Sequence, residues 1–299
     1  MSIKQPNEMK IHIQIGQLRY LATPHQNFLL PIKYHFRSNT MDDEEQLDVG
    51  MFEEPADFAP PKPPTVAYHE MKSGHKVPIH LVGFNLREGH YLWNGARYIS
   101  NWFEDNVSSI KDKTVFELGA GGGLPSIVAA ILGAKKAVCT DYPDRELIEF
   151  IEKNIAESST LIPEPKDRVV AEGYEWGQSP KPVLAHLDEQ GRSDGFDVLV
   201  LADLLFKHPQ HENMIRTIEM TLSKKRDSKA LVFFTSYRPW LQQADLAFFD
   251  RARDHGFKVE KIFEHRLEKP MFENDPGDLD VQKLCTGWEI KWPEEKCSA

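Results

Sequence analysis

Cysteine is scarce in this chain, and long apolar runs are missing. Cys139, Cys285 and Cys297 are far apart and show no CxxC spacing. That excludes the disulfide framework of a small secreted scaffold and supplies no zinc-ligand set, so no metal is expected. Scattered thiols fit a reducing, intracellular compartment. Cys139 sits in an apolar run and reads as a small core residue. No uninterrupted apolar stretch approaches the roughly 20 residues of a membrane span. The start, Met1-Ser2-Ile3-Lys4, has no compact apolar segment of signal-peptide type. A cytoplasmic protein without a membrane partner is expected. Basic excess is absent too, since net charge is −10. Proteins that live on nucleic-acid backbones draw most of their affinity from basic surfaces. The balance therefore argues mildly against a direct nucleic-acid partner and suits a basic protein.

What is present is enough for a sizeable core, with 40% hydrophobic residues in 299. Residues 1–40 carry Lys4, Lys10, Arg19, Lys33 and Arg37 against one acid, Glu8. Met41-Asp42-Asp43-Glu44-Glu45 then switches to acid. The opening segment is expected to be disordered, or an extension ahead of a start at Met41. Residues 41–76 read as an acidic, then proline-rich arm, with Phe52 and Phe58 as possible anchors. A plain disordered tail is the alternative. The globular pattern occupies 77–293, and 294–299 is a tail.

Within the globular part, short apolar runs alternate with helical patterns. Strands are expected at 77–82, 114–118, 137–141, 168–172, 196–202 and 230–235. Leu92, Ala96, Ile99 and Phe103 share one helical face over 91–104. Ile148, Ile151 and Ile155 do so in 144–157, Ile215, Ile218 and Leu222 in 209–222, and Leu241, Ala244, Phe248 and Ala252 in 239–254. This βα rhythm implies a parallel sheet covered on both sides. The end breaks it: 258–264 and 283–292 are strand-like with no helix expected between them, so they should pair antiparallel. The expected fold is a three-layer, Rossmann-like α/β sheet of seven strands with a C-terminal antiparallel hairpin.

The strongest local signal is Val115-Phe116-Glu117-Leu118-Gly119-Ala120-Gly121-Gly122-Gly123-Leu124-Pro125. A buried strand enters a glycine turn and then a helix, so a ligand can approach main-chain N–H groups. Gly119, Gly121 and Gly123 give GxGxG, and Leu124 stands where a dinucleotide motif wants its last glycine. Glu117, two residues before the first glycine, occupies a place typical of methyltransferase loops and is counted with the cofactor site. A dinucleotide pyrophosphate needs a helix N-terminus; S-adenosylmethionine has none, so its loop can differ. Asp141 ends the next strand, where a carboxylate can hold ribose hydroxyls. Its alternative is a cap on the following helix, with Pro143 in the first turn. Trp176, after the third strand, can lie on an adenine face or be an ordinary rim residue.

Asp203 ends the strand Phe196–Ala202, at the sheet edge where ligands bind in open α/β folds. A carboxylate there suits methyl transfer to an amine. The transfer is an in-line displacement that needs a neutral, aligned amine, and a nearby charge favours the cation that forms. A lysine amine has a pKa of about 10.4 and an α-amine about 8, so the α-amine is easier to present neutral. Tyr237, after the next strand, either lines an acceptor channel or packs at its rim. His208 and His211 read as surface or helix-entry residues, not metal ligands.

Asp203-Leu204-Leu205-Phe206 resembles the D-x-x-Y/F signature of the seven-strand protein-lysine methyltransferases. Leu92-Trp93-Asn94-Gly95-Ala96 resembles that family's tryptophan segment. The likeness spans about residues 50 to 293 and is nearest to the fungal branch acting on the N-terminus and a neighbouring lysine of translation elongation factor 1-alpha. Met51-Phe52-Glu53-Glu54-Pro55-Ala56-Asp57-Phe58, Gly89-His90-Tyr91-Leu92-Trp93-Asn94 and Phe234-Thr235-Ser236-Tyr237-Arg238-Pro239-Trp240 carry it. The resemblance implies that Trp93, Gly119, Ala120, Gly121, Asp141, Trp176 and the backbone at Ala202 contact S-adenosylmethionine. It puts Asp203 and Phe206 at the acceptor, and it implies a protein substrate, elongation factor 1-alpha. A small-molecule amine methyltransferase, such as one acting on nicotinamide, shares the cofactor site and is the main rival. Nucleic-acid N-methyltransferases often carry D/N-P-P-Y/F, with prolines shaping a slot for a flipped base. Leu204 and Leu205 stand in those places here. A silent interaction protein on the same fold would not need Asp141 and Asp203.

Overall fold

Short apolar runs become strands here because each can be covered on both faces. The computed structural model describes residues 63–84, 88–272 and 276–298, all within one compact unit, Ala59–Ala299. The segment 1–40 and the arm's Phe52 and Phe58 lie outside the described residues. β3 (Thr114–Leu118) is buried along its whole length. β4 (Lys136–Asp141), β5 (Val169–Gly173), β6 (Val198–Ala202) and β7 (Lys229–Thr235) join it in parallel. β8 (Lys258–Arg266) and β9 (Leu284–Lys291) are antiparallel to each other, and β9 is antiparallel to β7. The sheet order is β5-β4-β3-β6-β7-β9-β8. It is the expected seven-stranded, Rossmann-like α/β sheet with a C-terminal antiparallel pair. The chain runs outward from β3 to β5 and then resumes on β3's other side with β6. That reversal opens a crevice past the carboxyl ends of β3 and β6, the usual ligand position in such sheets.

Alternate strand residues feed opposite cores, as the two-residue period requires. Val115, Cys139, Val200 and Phe233 pack with Ile99 and Phe103 of α1 (Asn94–Asp105), Ile127 of α2 (Leu124–Ile131) and Ile151 of α3 (Arg145–Glu157). Phe116, Val138, Leu201 and Val232 pack with Ile215 of α6 (His211–Thr221) and Phe248 of α7 (Gln242–Asp254).

Three features depart from the pattern expected of the sequence. The expected arm, 41–76, contains a strand, β1 (Thr65–Glu70), which pairs antiparallel with β2 (Lys76–Leu81) around a turn at Gly74. Proline richness hid it, but the prolines stop at Pro64. Two short helices, α4 (Lys181–Leu184) and α5 (Glu189–Asp194), stand between β5 and β6. The stretch between β8 and β9 also holds a one-turn helix, α8 (Leu279–Gln282), whose N-terminus Asp278 caps through the N–H of Asp280 at 2.8 Å. Loop-like composition concealed that single turn. Among the described residues no helix is long and apolar enough to cross a membrane.

Candidate active site

The loop after β3 passes three times through left-handed backbone that suits glycine, at Gly119, Gly121 and Gly123. Gly119 has φ +58°, and a Cβ there would meet Leu204 Cδ2 at 2.7 Å and Trp176 Cζ2 at 2.9 Å. Gly121 has φ +55°, but a Cβ there would meet nothing nearer than Gly89 Cα at 3.8 Å. Space is therefore open on the Gly121 side, and it belongs to a cavity of about 340 Å³ bounded by this loop and the ends of β4 and β6. Asp141 faces the same space. Its Oδ2 accepts the Gly121 N–H at 2.7 Å and its Oδ1 accepts the Tyr142 N–H at 2.7 Å. Asp141 does not cap the next helix; Asp144 does, accepting the N–H groups of Glu146 and Leu147. Trp176 and the largely buried Tyr174 line this end.

The opposite wall centres on Asp203, which is only 5% exposed and has φ +54°, rare for a residue with a side chain. Its Oδ2 accepts the Gly95 N–H of α1 at 2.5 Å and its Oδ1 accepts the Thr235 N–H at the end of β7 at 2.8 Å. Tyr237 donates its hydroxyl to Oδ2 at 3.4 Å. Asp203 thus caps a helix, but it is the distant α1 and not the following one. Three bonds against about four acceptor positions on a carboxylate leave one free. Burial, with Asp245's charge adding a little, raises the Asp203 pKa to about 7 although these bonds favour the anion.

Aromatic rings surround this wall. Trp93 lies 6.5 Å from Phe206 in a stacked arrangement and 5.0 Å from Tyr237. Phe272, from the β8–β9 connection, meets Trp93 at 6.0 Å and Tyr237 at 5.9 Å. The Trp93 indole N–H is held by the Glu88 carbonyl at 2.9 Å, and Arg238 holds the Phe206 carbonyl at 3.1 Å. Lys207 Nζ sits 4.9 Å from the Phe206 ring centre.

Trp93, Gly119, Gly121, Asp141, Trp176, Ala202, Asp203 and Phe206 all lie in the cavity wall. Glu117, Ala120 and Tyr237 do not. Glu117 turns behind the loop, 1% exposed, and accepts both the N–H and the hydroxyl of Ser126, so it caps α2 from within. Burial pushes its pKa up to about 8. Ala120 packs against the core. Tyr237 acts through Asp203 and Trp93. Leu204, from the Asp203–Phe206 signature, lines the cavity too, as do Tyr174 and Lys207, each within three residues of a residue to which the sequence points. Phe272 had no signal, because its loop has no periodicity. His211 is buried and bonded to the Leu205 carbonyl, and among the described residues no cluster could hold a metal.

The geometry agrees with what comparison finds. The family described as lysine methyltransferase matches residues 78–255. The protein N-terminal and lysine N-methyltransferase of Neurospora crassa is 52% identical over 270 residues, covering 87% of this chain and 96% of its own. The proteins of the same name in Gibberella zeae and Schizosaccharomyces pombe are 50% and 36% identical, each over 85% of this chain and 99% of their own. The chain belongs to the lysine methyltransferase family. It is an enzyme, and as a methyltransferase it must hold a methyl donor. The residues present fit S-adenosylmethionine. The open side of Gly121 is a cradle that a Cβ would fill. Asp141 supplies a carboxylate for hydroxyl groups, and Trp176, half-buried in the wall, supplies an aromatic ring for a purine. The cavity also falls within the usual range for small-ligand sites, about 300–1,000 Å³.

Proposed function

We propose that this enzyme uses S-adenosylmethionine to methylate the N-terminal amine, and a nearby lysine, of translation elongation factor 1-alpha in the cytoplasm. The observation that carries the reading is one cavity with a glycine loop and Asp141 at one end and Asp203 among aromatic rings at the other. Bound S-adenosylmethionine supplies a methyl group on a sulfonium. The chain's own residues do the rest. Asp141, Gly119, Gly121 and Trp176 hold the adenosine half. Asp203 accepts a bond from the incoming amine through its spare position and favours the charge that develops on nitrogen. Trp93 and Phe206 flank the amine with ring faces, which attract cations and exclude water. The N-terminal amine, with a pKa of about 8, reaches the neutral form more easily than lysine.

Two lines support a protein acceptor over nicotinamide. Relatives up to half identical or more are named for protein N-termini and lysines, and the motif set resembles the elongation-factor branch. The test incubates the full chain and labelled cofactor with elongation factor 1-alpha bearing a free N-terminus and, separately, with nicotinamide. Methyl groups on the N-terminal peptide, read by mass spectrometry, are expected. Methylated nicotinamide with an unlabelled protein would overturn the reading.

A further inference from the structure

Beside the main cavity lies a second concavity, of about 290 Å³. Leu81, Leu92 and Met271 form apolar walls, with Phe84, Tyr91 and Arg97 around them. Leu81 and Leu92 are buried, while Phe84 stands at the rim, 57% exposed. An apolar hollow with an exposed aromatic at its edge is a place where a partner's side chain can bury.

The hollow begins where the acceptor wall ends. Tyr91 lines it, and the same ring meets Trp93 at 5.5 Å and Phe272 at 5.4 Å. Met271 lines it too, and the next residue, Phe272, belongs to the rings beside Asp203. A polypeptide whose amine reaches Asp203 has its following residues leaving past these rings.

Charge narrows the occupant. Arg97 is half-buried, and Nη1 donates to the Tyr68 carbonyl at 2.9 Å. Among the described residues no carboxylate pairs with it, although the chain's net charge is −10. A half-buried guanidinium without a counter-charge is costly, and a planar carboxylate matches its geometry. Beside Arg97, His69 is 4% exposed and its Nε2 has no partner.

We propose that this groove docks the acceptor polypeptide next to the methylated amine, with one apolar side chain on Leu81, Leu92 and Met271 and one carboxylate on Arg97. The proposal rests on the main cavity being a protein-methylation site. It makes the groove a determinant of which protein is methylated, separate from the cavity where the methyl moves. A small free amine would leave the groove unused.

The experiment compares the unmodified full chain with Phe84→Ser and Arg97→Gln, and with Met220→Ser as a control at an exposed apolar position on α6. Elongation factor 1-alpha is one probe. The other is its N-terminal tripeptide amide, which spans about 10 Å and is too short to fill both the cavity and the groove. Phe84→Ser and Arg97→Gln are each expected to raise KM for the whole protein about tenfold, the scale of one lost interface anchor. Their kcat and their cofactor affinity by calorimetry should stay within about twofold, as should their rates on the tripeptide amide. Met220→Ser should match the unmodified chain on both probes. An unchanged KM for the whole protein in both groove variants would overturn the groove alone. Equal losses on the protein and the tripeptide would do the same, by assigning the residues to the main cavity. If the unmodified chain methylates neither probe, the acceptor reading falls as well.

Discussion

Asp141 and Asp203 are both carboxylates at the carboxyl ends of parallel strands, and both face one cavity, yet their settings differ. Asp141 bonds a loop N–H of the neighbouring strand turn and its own following amide. Asp203 bonds the first turn of α1, the end of β7 and a tyrosine, from a left-handed backbone. The first arrangement is local and made largely of main chain. The second joins segments more than a hundred residues apart in sequence, since Gly95 and Asp203 are 108 apart. A donor common to a whole class of enzymes can be held by a short motif. An acceptor particular to one enzyme needs a wall assembled by tertiary structure.

The harshest way to test the local half is Gly121→Val. A β-branched residue at φ +55° is strained, and its side chain would enter the open cavity. Cofactor affinity should fall by at least about 100-fold, the result of blocking contact in a close-fitting site. Normal binding by calorimetry in a folded variant would put the ligand elsewhere.

Asp203→Ala attacks the assembled half. Turnover should fall about 10²-fold, the scale for loss of one preorganised electrostatic group. Cofactor affinity should stay within a few-fold. The melting temperature should also drop, because the Gly95 and Thr235 N–H groups lose their acceptor, and each unsatisfied buried donor costs about 1–3 kcal/mol. Asp203→Asn keeps the shape and should fall between. Single-turnover rates beside melting curves separate the two roles, and normal turnover in the alanine variant would defeat the catalytic one. Asp141→Ala should show the opposite split. Cofactor affinity should weaken about 10- to 100-fold, from about 1.5–3 kcal/mol of charge-assisted bonding, with turnover at saturating cofactor little changed. If affinity is unchanged, Asp141 serves only the loop.

This contrast also sets how much was legible in the sequence. The sheet was readable because runs such as Val198-Leu199-Val200-Leu201 can hardly be anything but covered strand. Its ends, and so Gly119, Asp141 and Asp203, came with it. Glu117 does not line the cavity, and composition does not say which way a residue on a buried strand turns. It follows Val115 to the α2 side, where Ser126 satisfies it. Tyr237 was undecided because its role depends on Asn94 and Asp203, neither near it in sequence. β1 was lost next to a proline-rich stretch, and Phe272 sits in a connection with no repeating pattern.

Burial also gives Asp203 a pH response. Asp203's pKa, raised to about 7 by burial, means that the folded state binds a proton there that the unfolded chain releases from the ordinary carboxylate range upward. Its contribution to stability is therefore full at low pH and is lost as pH rises through about 7. Activity runs the other way, because the ionised carboxylate is the useful form. Turnover at saturating cofactor should climb about tenfold between pH 6 and pH 8, as expected for one group titrating near 7. Asp203→Asn should flatten that limb, and an identical limb in the asparagine variant would assign the titration to the substrate amine.

Tyr237→Phe is the mildest change and probes the join between the two effects. The hydroxyl donates to Asp203 Oδ2 at 3.4 Å, a long bond worth little in itself. The ring stays, so its packing on Trp93 and Phe272 stays too. The hydroxyl also accepts the Asn94 N–H at 3.3 Å, so turnover at pH 8 should fall only about two- to fivefold, the effect of two long, weak bonds. The informative change is in the pH profile. The hydroxyl bond favours the Asp203 anion, so its loss should raise that group's pKa and move the rising limb to higher pH. A tyrosine that merely packed at the rim would lower the rate at every pH without moving the limb. A tyrosine that touched the acceptor directly would raise KM for the protein substrate and leave the limb in place. Rates from pH 6 to pH 9 for the unmodified chain, Tyr237→Phe and Asp203→Asn decide among these, and an unshifted limb in Tyr237→Phe would remove Tyr237 from the control of Asp203.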